Sequence, residues 1–540
     1  MSTSAPPTRV PETAPPPPAR NGGSLAHSSL WAALSQVALL GIQGVAALAI
    51  LLTFGKGVET DAVFAAYGVY GMLVVMCQTL RLTVVARIVE SPSPDAAFDR
   101  FLGAGLSLLL VAGIVQLLFG EPLARVLTGD LGPHAVSVAR STLAILWVAV
   151  GGQLIAALGA ALLGVRGEFR YTGVSYVAGG VVNIALLLGL SGPLGVLSVA
   201  TGVAGGTLLS ATAITLQVRR EGYRMQRARV LAGVLEWRTS VMLVVASAAT
   251  VLTQLNFVIS ASFAARLNVG AVTIYTTAFF AGALIVALTA SAAALVLAAP
   301  VAQTWNRDPD ALLPHLDTIM RAGLLLIAPA VAVAALIGDD LLDFLMGSSF
   351  SAADADTAIR AFVALSGFLV AMLGMQLPLL AAYAMSRYNA TAGLGLIATG
   401  VHVVACAIAV ELGAIVWLGA AASVSGLTTM TLLLWLVHRR GVLHALAIVV
   451  RDAAVVAVVA LTCFGVPGVV AIALGSGVWD LGATIVGAGA FALVVRALLP
   501  GWADVADRML APLLRFRVRP GARAATDAVS TSPGAPDVLP

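Results

Sequence analysis

This sequence is poor in charge. Only 10% of its 540 residues are Asp, Glu, Lys or Arg, against about 25% in soluble domains. So few charges cannot coat a water-exposed surface. Cysteine is scarcer still. Cys77, Cys406 and Cys463 stand in three separate apolar runs, which excludes a disulfide scaffold and offers no metal-ligand spacing. No glycine-rich loop ends in Lys-Ser or Lys-Thr, no H-E-x-x-H occurs, and no nucleophile–base–acid set stands out. An ATP-driven pump and a membrane hydrolase are therefore not expected, nor is any enzyme, cofactor or metal. The net charge of +4 does not point to nucleic acid, because the basic residues lie between apolar runs, where membrane topology accounts for them.

What the chain has instead is apolar length. Hydrophobic residues make up 59% of it. Its long runs are continuously apolar rather than alternating, which selects transmembrane helices over barrel strands. The expected class is an all-α integral membrane protein of about fourteen spans, from Leu30–Phe54 to Leu481–Leu498. Tight hairpins fall around Ser191–Pro193 and Glu411–Gly413. With the N-terminus in the cytoplasm, five of the 30 Lys and Arg fall outside: Lys56, Arg125, Arg140, Arg266 and Arg360. That bias obeys the positive-inside rule and puts both termini in the cytoplasm. Heavy use of Ala, Val, Gly and Arg points to a GC-rich bacterium, hence to its cytoplasmic membrane.

The chain also resembles itself at an offset of 218–219 residues. Leu34-Ser35-Gln36 aligns with Leu252-Thr253-Gln254, and Val182-Asn183 with Val401-His402. Arg219-Arg220-Glu221-Gly222 aligns with His438-Arg439-Arg440-Gly441. Six spans per repeat give both halves one orientation, as in transporters built from parallel repeats. The expected organisation is a disordered Pro-rich cytoplasmic tail (1–28), a first six-helix lobe (29–218) and a basic cytoplasmic linker (219–239). A second six-helix lobe (240–438) and two further spans (439–499) follow. Residues 500–540 close the chain; their first part reads as an amphipathic segment on the membrane or as a solvated basic tail, and the last as disordered.

Polar residues inside spans face the bundle interior or a cavity. The candidates for a cavity lining are Gln43, Gln78, Arg81, Gln153, Asn183, Gln254, Asn256, Gln376 and His402. The plainer role of each Gln or Asn is a bond between helices. Arg81 either faces the cavity or snorkels to the interface. His402 either carries a proton or sits neutral and hydrogen-bonded in the core. No carboxylate falls at the centre of a span, which gives no support to ion coupling through a buried acid.

Four stretches resemble the MviN/MurJ-like flippases of the multidrug/oligosaccharidyl-lipid/polysaccharide exporter superfamily. They are FGKGVETDAVFAAY (Phe54–Tyr67), ALLGVRGEFRYTGV (Ala161–Val174), LQVRREGYR (Leu216–Arg224), and LLDFLMGSSFSAADADTAIRAF (Leu341–Phe362) with AAYAMSRYNATAG (Ala381–Gly393). The likeness runs in order over residues 30–500. It implies two six-helix lobes in a V, a cavity for a glycan-diphosphate headgroup, and a tail groove at spans thirteen and fourteen. The implied partners are the bilayer and a polyprenyl-linked glycan, with envelope-synthesis proteins as further candidates. The sequence departs from the family where cavity arginines are expected, at Ser35–Leu48, Gly68, Val74, Val75 and Ala278. The cations left near the cytoplasmic mouth are Arg81, Arg87, Arg166, Arg170 and Arg387, which either receive a phosphate or set topology. Three functions follow: a flippase for a lipid-linked saccharide, a multidrug or cation-coupled exporter, or a non-transporting paralogue that scaffolds envelope synthesis.

Overall fold

The computed structural model describes residues 42, 44–166, 168–286, 312–385, 387–474 and 478–515. They form helices and no strand. In chain order these are α1 (Gly44–Phe54), α2 (Val58–Glu90), α3 (Pro94–Thr128), α4 (Pro133–Val165), α5 (Phe169–Leu194), α6 (Ser198–Arg220), α7 (Arg227–Leu235), α8 (Trp237–Ala264), α9 (Ala271–Val286), α10 (Leu312–Met346), α11 (Ala352–Ala364), α12 (Ser366–Ala384), α13 (Tyr388–Glu411), α14 (Ile415–Val437), α15 (Val442–Ala460), α16 (Val466–Leu474), α17 (Val478–Leu498) and α18 (Pro500–Arg515). Among the described residues ten helical runs are long and apolar enough to cross a bilayer, or eleven with the bent pair Arg227–Leu235 and Trp237–Ala248. One of the ten, Tyr171–Arg220, is a hairpin: Pro193 lies in the last turn of α5, Gly195 turns at φ 53°, and α6 returns along α5. The helix order is compatible with fourteen crossings. The tail at 1–28, Gln43, most of span one and the end of span eight lie outside the described residues.

The exterior explains why this fold needs lipid. Leu110, Ile114, Leu117 and Phe119 on α3, and Val458, Leu461 and Ile472 near the C-terminus, are exposed. In water such a belt would drive aggregation, whereas in a bilayer it is solvated. The interior is made of small residues instead. On α5 and α6, a Cβ added at Gly179 would stand 2.5 Å from the Gly206 carbonyl oxygen, and one added at Gly206 would stand 2.4 Å from the Gly179 carbonyl oxygen. Such close backbone approach replaces the hydrophobic drive that is absent in lipid.

The repeat is visible in the helix order. Helices α3 and α10 end at Thr128 and Met346, α4 and α12 at Val165 and Ala384, and α6 and α14 at Arg220 and Val437. Each pair keeps the spacing of the sequence repeat to within one residue. Helix α4 packs on α6 as α12 packs on α14, and α5 lies on α6 as α13 lies on α14. Helices α15, α16 and α17 follow the second unit, with a π-helical turn at Leu461–Gly465. Helix α15 begins at Val442, near the start of the stretch 439–499 expected to hold the two further spans. The segment expected to be amphipathic or solvated is helical in α18, and its Trp502 is buried in the main core.

The linker between the units is docked as well. Helix α7 lies on α3 through two glycines: a Cβ at Gly103 would stand 2.1 Å from the Val230 carbonyl oxygen, and one at Gly233 would stand 2.3 Å from the Arg100 carbonyl oxygen. Just before α7, buried Tyr223 donates a hydrogen bond to buried Asp99, and Phe98 meets its ring edge-on at 5.0 Å. Burial first, and then the Asp99 carboxylate, push the Tyr223 phenol above its ordinary value. A group raised in this way stabilises fully below its unfolded pKa of about 10 and loses that contribution above it. Tyr223→Phe should therefore cost about 1.5–3 kcal/mol at neutral pH. It should also remove part of the alkaline destabilisation of the parent protein. Thermal unfolding against pH checks both; equal stability of the two proteins at pH 7 would dismiss the contact.

Candidate functional site

The polar residues separate into four groups, two of them at opposite ends of the bundle. The first lies inside the first six-helix unit. Gln78 and Arg81 on α2, Gln153 on α4 and Tyr176 on α5 gather there. The Tyr176 hydroxyl lies close to both amides and feels the Arg81 charge, yet it makes no hydrogen bond inside the protein. Gln153 is buried, while Gln78, Arg81 and Tyr176 are half-buried. Tyr67 and Tyr70 continue the polar face of α2, with ring centroids 5.4 Å apart, and Tyr67 meets Phe280 of α9 edge-on. The group offers amides, phenols, aromatic faces and one cation, a set suited to sugar hydroxyls. Sequence reasoning missed the tyrosines, because a tyrosine in an apolar run reads as core.

Asn183 stands apart from this group. Its Oδ1 makes no hydrogen bond and lies 2.7 Å from where a Gly202 Cβ would be. It belongs to the α5–α6 packing seam. Gln254 and Gln376 are half-buried on α8 and α12. Gln254 lies one helical turn before Phe257 and Val258, which pack against Gly68 of α2.

The second group lies inside the second unit. His402 of α13 is fully buried. Its Nε2 is 2.8 Å from the Asn256 carbonyl oxygen and 3.0 Å from Ser260 Oγ, both on α8. Asn256 Nδ2 donates to Ser425 Oγ of α14 at 3.0 Å. These bonds tie α8, α13 and α14 together.

The third group holds the arginines at the basic end. Arg166 Nη1 donates to the Glu221 carbonyl at 2.7 Å, and its Nη2 pairs with Asp95 at 2.7 Å. Arg387 Nη1 donates to the Leu436 carbonyl at 2.9 Å. Each arginine thus meets a carbonyl at the C-terminal end of the sixth helix of its own unit, α6 or α14, where such acceptors lack partners. Arg87 is exposed in the last turn of α2, and Arg170 is in the first turn of α5. Arg166→Ala should cost about 1–2 kcal/mol of stability, and Lys at this position should restore under half, because an ammonium cannot span both partners. Thermal unfolding measures this. Unchanged stability with weakened phosphate binding would show instead that Arg166 serves a ligand.

Sequence reasoning missed the fourth group, which joins the units at the other end. Asp61, at the start of α2, is fully buried. Its carboxylate accepts from Gly270 N at 2.6 Å, from Thr273 N at 2.9 Å and from Thr273 Oγ1 at 2.5 Å. These amides open α9, so a side chain from the first unit caps a helix of the second. Gly270 takes φ 90° to aim its N–H there. Beside this cap, Lys56 pairs with Asp354, which belongs to the Ser351–Asp354 capping box of α11. At the basic end, Asp452 of α15 is buried beside Arg451, 3.8 Å from Arg321 of α10. The sequence shows these acids only at span ends, and the tertiary fold buries Asp61 and Asp452. Among the described residues no group of three or more His, Cys, Asp or Glu forms a metal site.

Two helical units capped into one another at one end, with polar groups within each, define a multi-pass membrane protein of the exporter-superfamily architecture. The chain belongs to the MurJ family: the family model "Lipid II flippase MurJ" matches residues 53–488. The fold is similar to that of the lipid II flippase MurJ in its inward closed conformation, with TM-score 0.65 and 15% identity over 90% of this chain and 99% of that one. It is similar to an inward-facing multidrug resistance MATE family transporter of the MOP superfamily, with TM-score 0.58 and 17% identity over 79% and 99% of the two chains. A MOP superfamily transporter from Pyrococcus furiosus gives TM-score 0.54 and 18% identity over 79% and 97%. At these identities the solved structures establish the fold. No curated protein matches the chain in sequence.

Proposed function

We propose that this protein is a flippase that moves a polyprenyl-diphosphate-linked saccharide from the inner to the outer leaflet of a bacterial cytoplasmic membrane. The observation that carries the reading is the family match over residues 53–488. The geometry supports it: Asp61 and Lys56 close the bundle at the end opposite the basic linker. With both termini in the cytoplasm, that closed end is the outer one, and the headgroup is received from the cytoplasm. The two lobes, residues 29–218 and 240–438, rock about the linker at 219–239. The tail stays in lipid beside α15, α16 and α17.

In this reading Gln78, Gln153 and Tyr176 meet sugar hydroxyls, while Arg81 meets phosphate. Desolvating a diphosphate is costly without cations, so one arginine favours a cargo whose recognition leans on its sugars. Mass spectrometry of polyprenyl-linked glycans in depleted cells tests the proposal. Build-up of one intermediate, shielded from external probes, supports it and identifies the cargo. An unchanged lipid-linked pool with intact envelope glycans overturns it in favour of a scaffold or an exporter of another substrate.

A further inference from the structure

The His402 group has a surplus of acceptors that neutral imidazole cannot satisfy. The Asn256 carbonyl can only accept, so the hydrogen-bonded Nε2 carries the ring's one hydrogen. Ser260 Oγ and Cys406 Sγ crowd the same nitrogen, at 3.0 and 3.4 Å. Nδ1 is then a buried lone pair with no hydrogen-bond partner. The Ala421 carbonyl of α14, a further acceptor, also faces the ring. Two more buried polar atoms in this group lack partners: Asn256 Oδ1 and the hydroxyl of Tyr275, which faces Ser260 and Cys406 from α9. Buried polar atoms are as a rule hydrogen-bonded, so a bare ring nitrogen calls for an explanation. Here one proton on Nδ1 turns the ring into a donor on both sides, with an acceptor already beside it.

We propose that His402 is a proton-binding site, and that its protonated form fastens α8 to α13 and α14. The proton comes from water when lobe motion opens the group, and returns to water when it opens again. The other groups facing the ring are uncharged. Cys406 and Tyr275 are the titratable ones. Helices α9, α12 and α14 contain no Asp, Glu, Lys or Arg, α8 has only Arg238 in its first turn, and α13 has only Glu411 at its far end. The imidazolium is therefore the one positive charge that this group can acquire. Asn256 and Ser260 move with α8, the helix that also packs along α2 of the other lobe. Proton binding is thus placed to bias lobe motion. Only this consequence for transport rests on the flippase reading.

The test is nitrogen-15 NMR in lipid nanodiscs on a chain whose other histidines, His27, His134, His315, His438 and His444, are replaced by Asn. The expected result is an Nε2–H tautomer at high pH that gains a second ring proton as the pH falls from about 8 to 4. A tautomer unchanged over that range overturns the proposal, as does a spectrum that answers to sodium chloride and not to pH. In proteoliposomes, flipping of a fluorescent polyprenyl-diphosphate saccharide by the unmodified protein should change by about tenfold per pH unit on one limb, the slope of one proton. H402Q should lie flat. NMR titration with pH-independent flipping overturns the coupling. Titration with no flipping by either protein overturns the flippase reading and leaves the proton site standing.

Discussion

Asp61→Ala should open the bundle at the end where the lobes meet. The carboxylate there is fully buried and accepts three hydrogen bonds, two of them from backbone N–H groups at the start of α9. Alanine leaves those amides without an acceptor in a dry site. Bonds to a charged acceptor contribute about 1.5–3 kcal/mol each, and an anion at a helix N-terminus adds up to about 2. Part returns when the opened amides meet water. A net shift of about 3 kcal/mol, roughly a hundredfold in the closed-to-open ratio, is expected. Asp61→Asn keeps one acceptor oxygen and should show about half of it. Lys56→Ala should move the ratio little, because its ion pair is partly exposed and such pairs contribute under about 1 kcal/mol.

Spin labels at Arg140 and Arg360, exposed at this end on α4 and α11, give the measurement. Double electron–electron resonance should show a longer distance population in Asp61→Ala. A distribution unchanged from the parent would mean that the cap does not hold the lobes together. Transport should fall in the same variant, because a lobe pair that cannot close outside cannot return to receive cargo.

Gly206→Val should have the largest effect on stability. The missing side chain at Gly206 is what lets α6 reach α5, since a Cβ there would stand 2.4 Å from the Gly179 carbonyl oxygen. That oxygen is backbone and cannot swing aside, so the helices must part. Parting also strains the bond from Ser210 Oγ to the Ser175 carbonyl, now 3.0 Å. Overpacking of this kind costs about 1–3 kcal/mol, and more where only backbone can yield. The buried thiols of Cys77, Cys406 and Cys463 supply the readout, since a thiol-reactive dye reports their exposure on heating. The midpoint should fall by several degrees in Gly206→Val. Gly189→Val, where nothing lies within 4 Å, should leave it unchanged. Equal midpoints for the two variants would remove the seam from the account.

The amides on the candidate list illustrate how far sequence patterns reach. Gln78, Gln153, Asn183 and Asn256 were all identified by polarity inside an apolar run, and that criterion treats them alike. In the fold they differ. Gln78 and Gln153 gather with Tyr176 and Arg81, Asn183 faces the small-residue seam, and Asn256 bridges α8 to α14. Helix register alone cannot separate these roles, because each depends on which neighbouring helix stands opposite.

The sequence by itself determined that the protein lives in lipid, that its spans are helices in a repeated order, and that its motifs resemble one family. Those properties are local: apolar length, missing charge and loop arginines act on each segment where it stands. Only the tertiary structure decided that Arg166 and Arg387 hold helix ends and that His402 has one bare nitrogen. It alone brought Asp61 to Gly270 and Thr273, 209 and 212 positions away. Whether a polar side chain binds cargo, a proton or another helix is fixed by the partner that comes to face it. In a membrane interior, where no water can satisfy a stray donor or acceptor, that partner is chosen by helix packing.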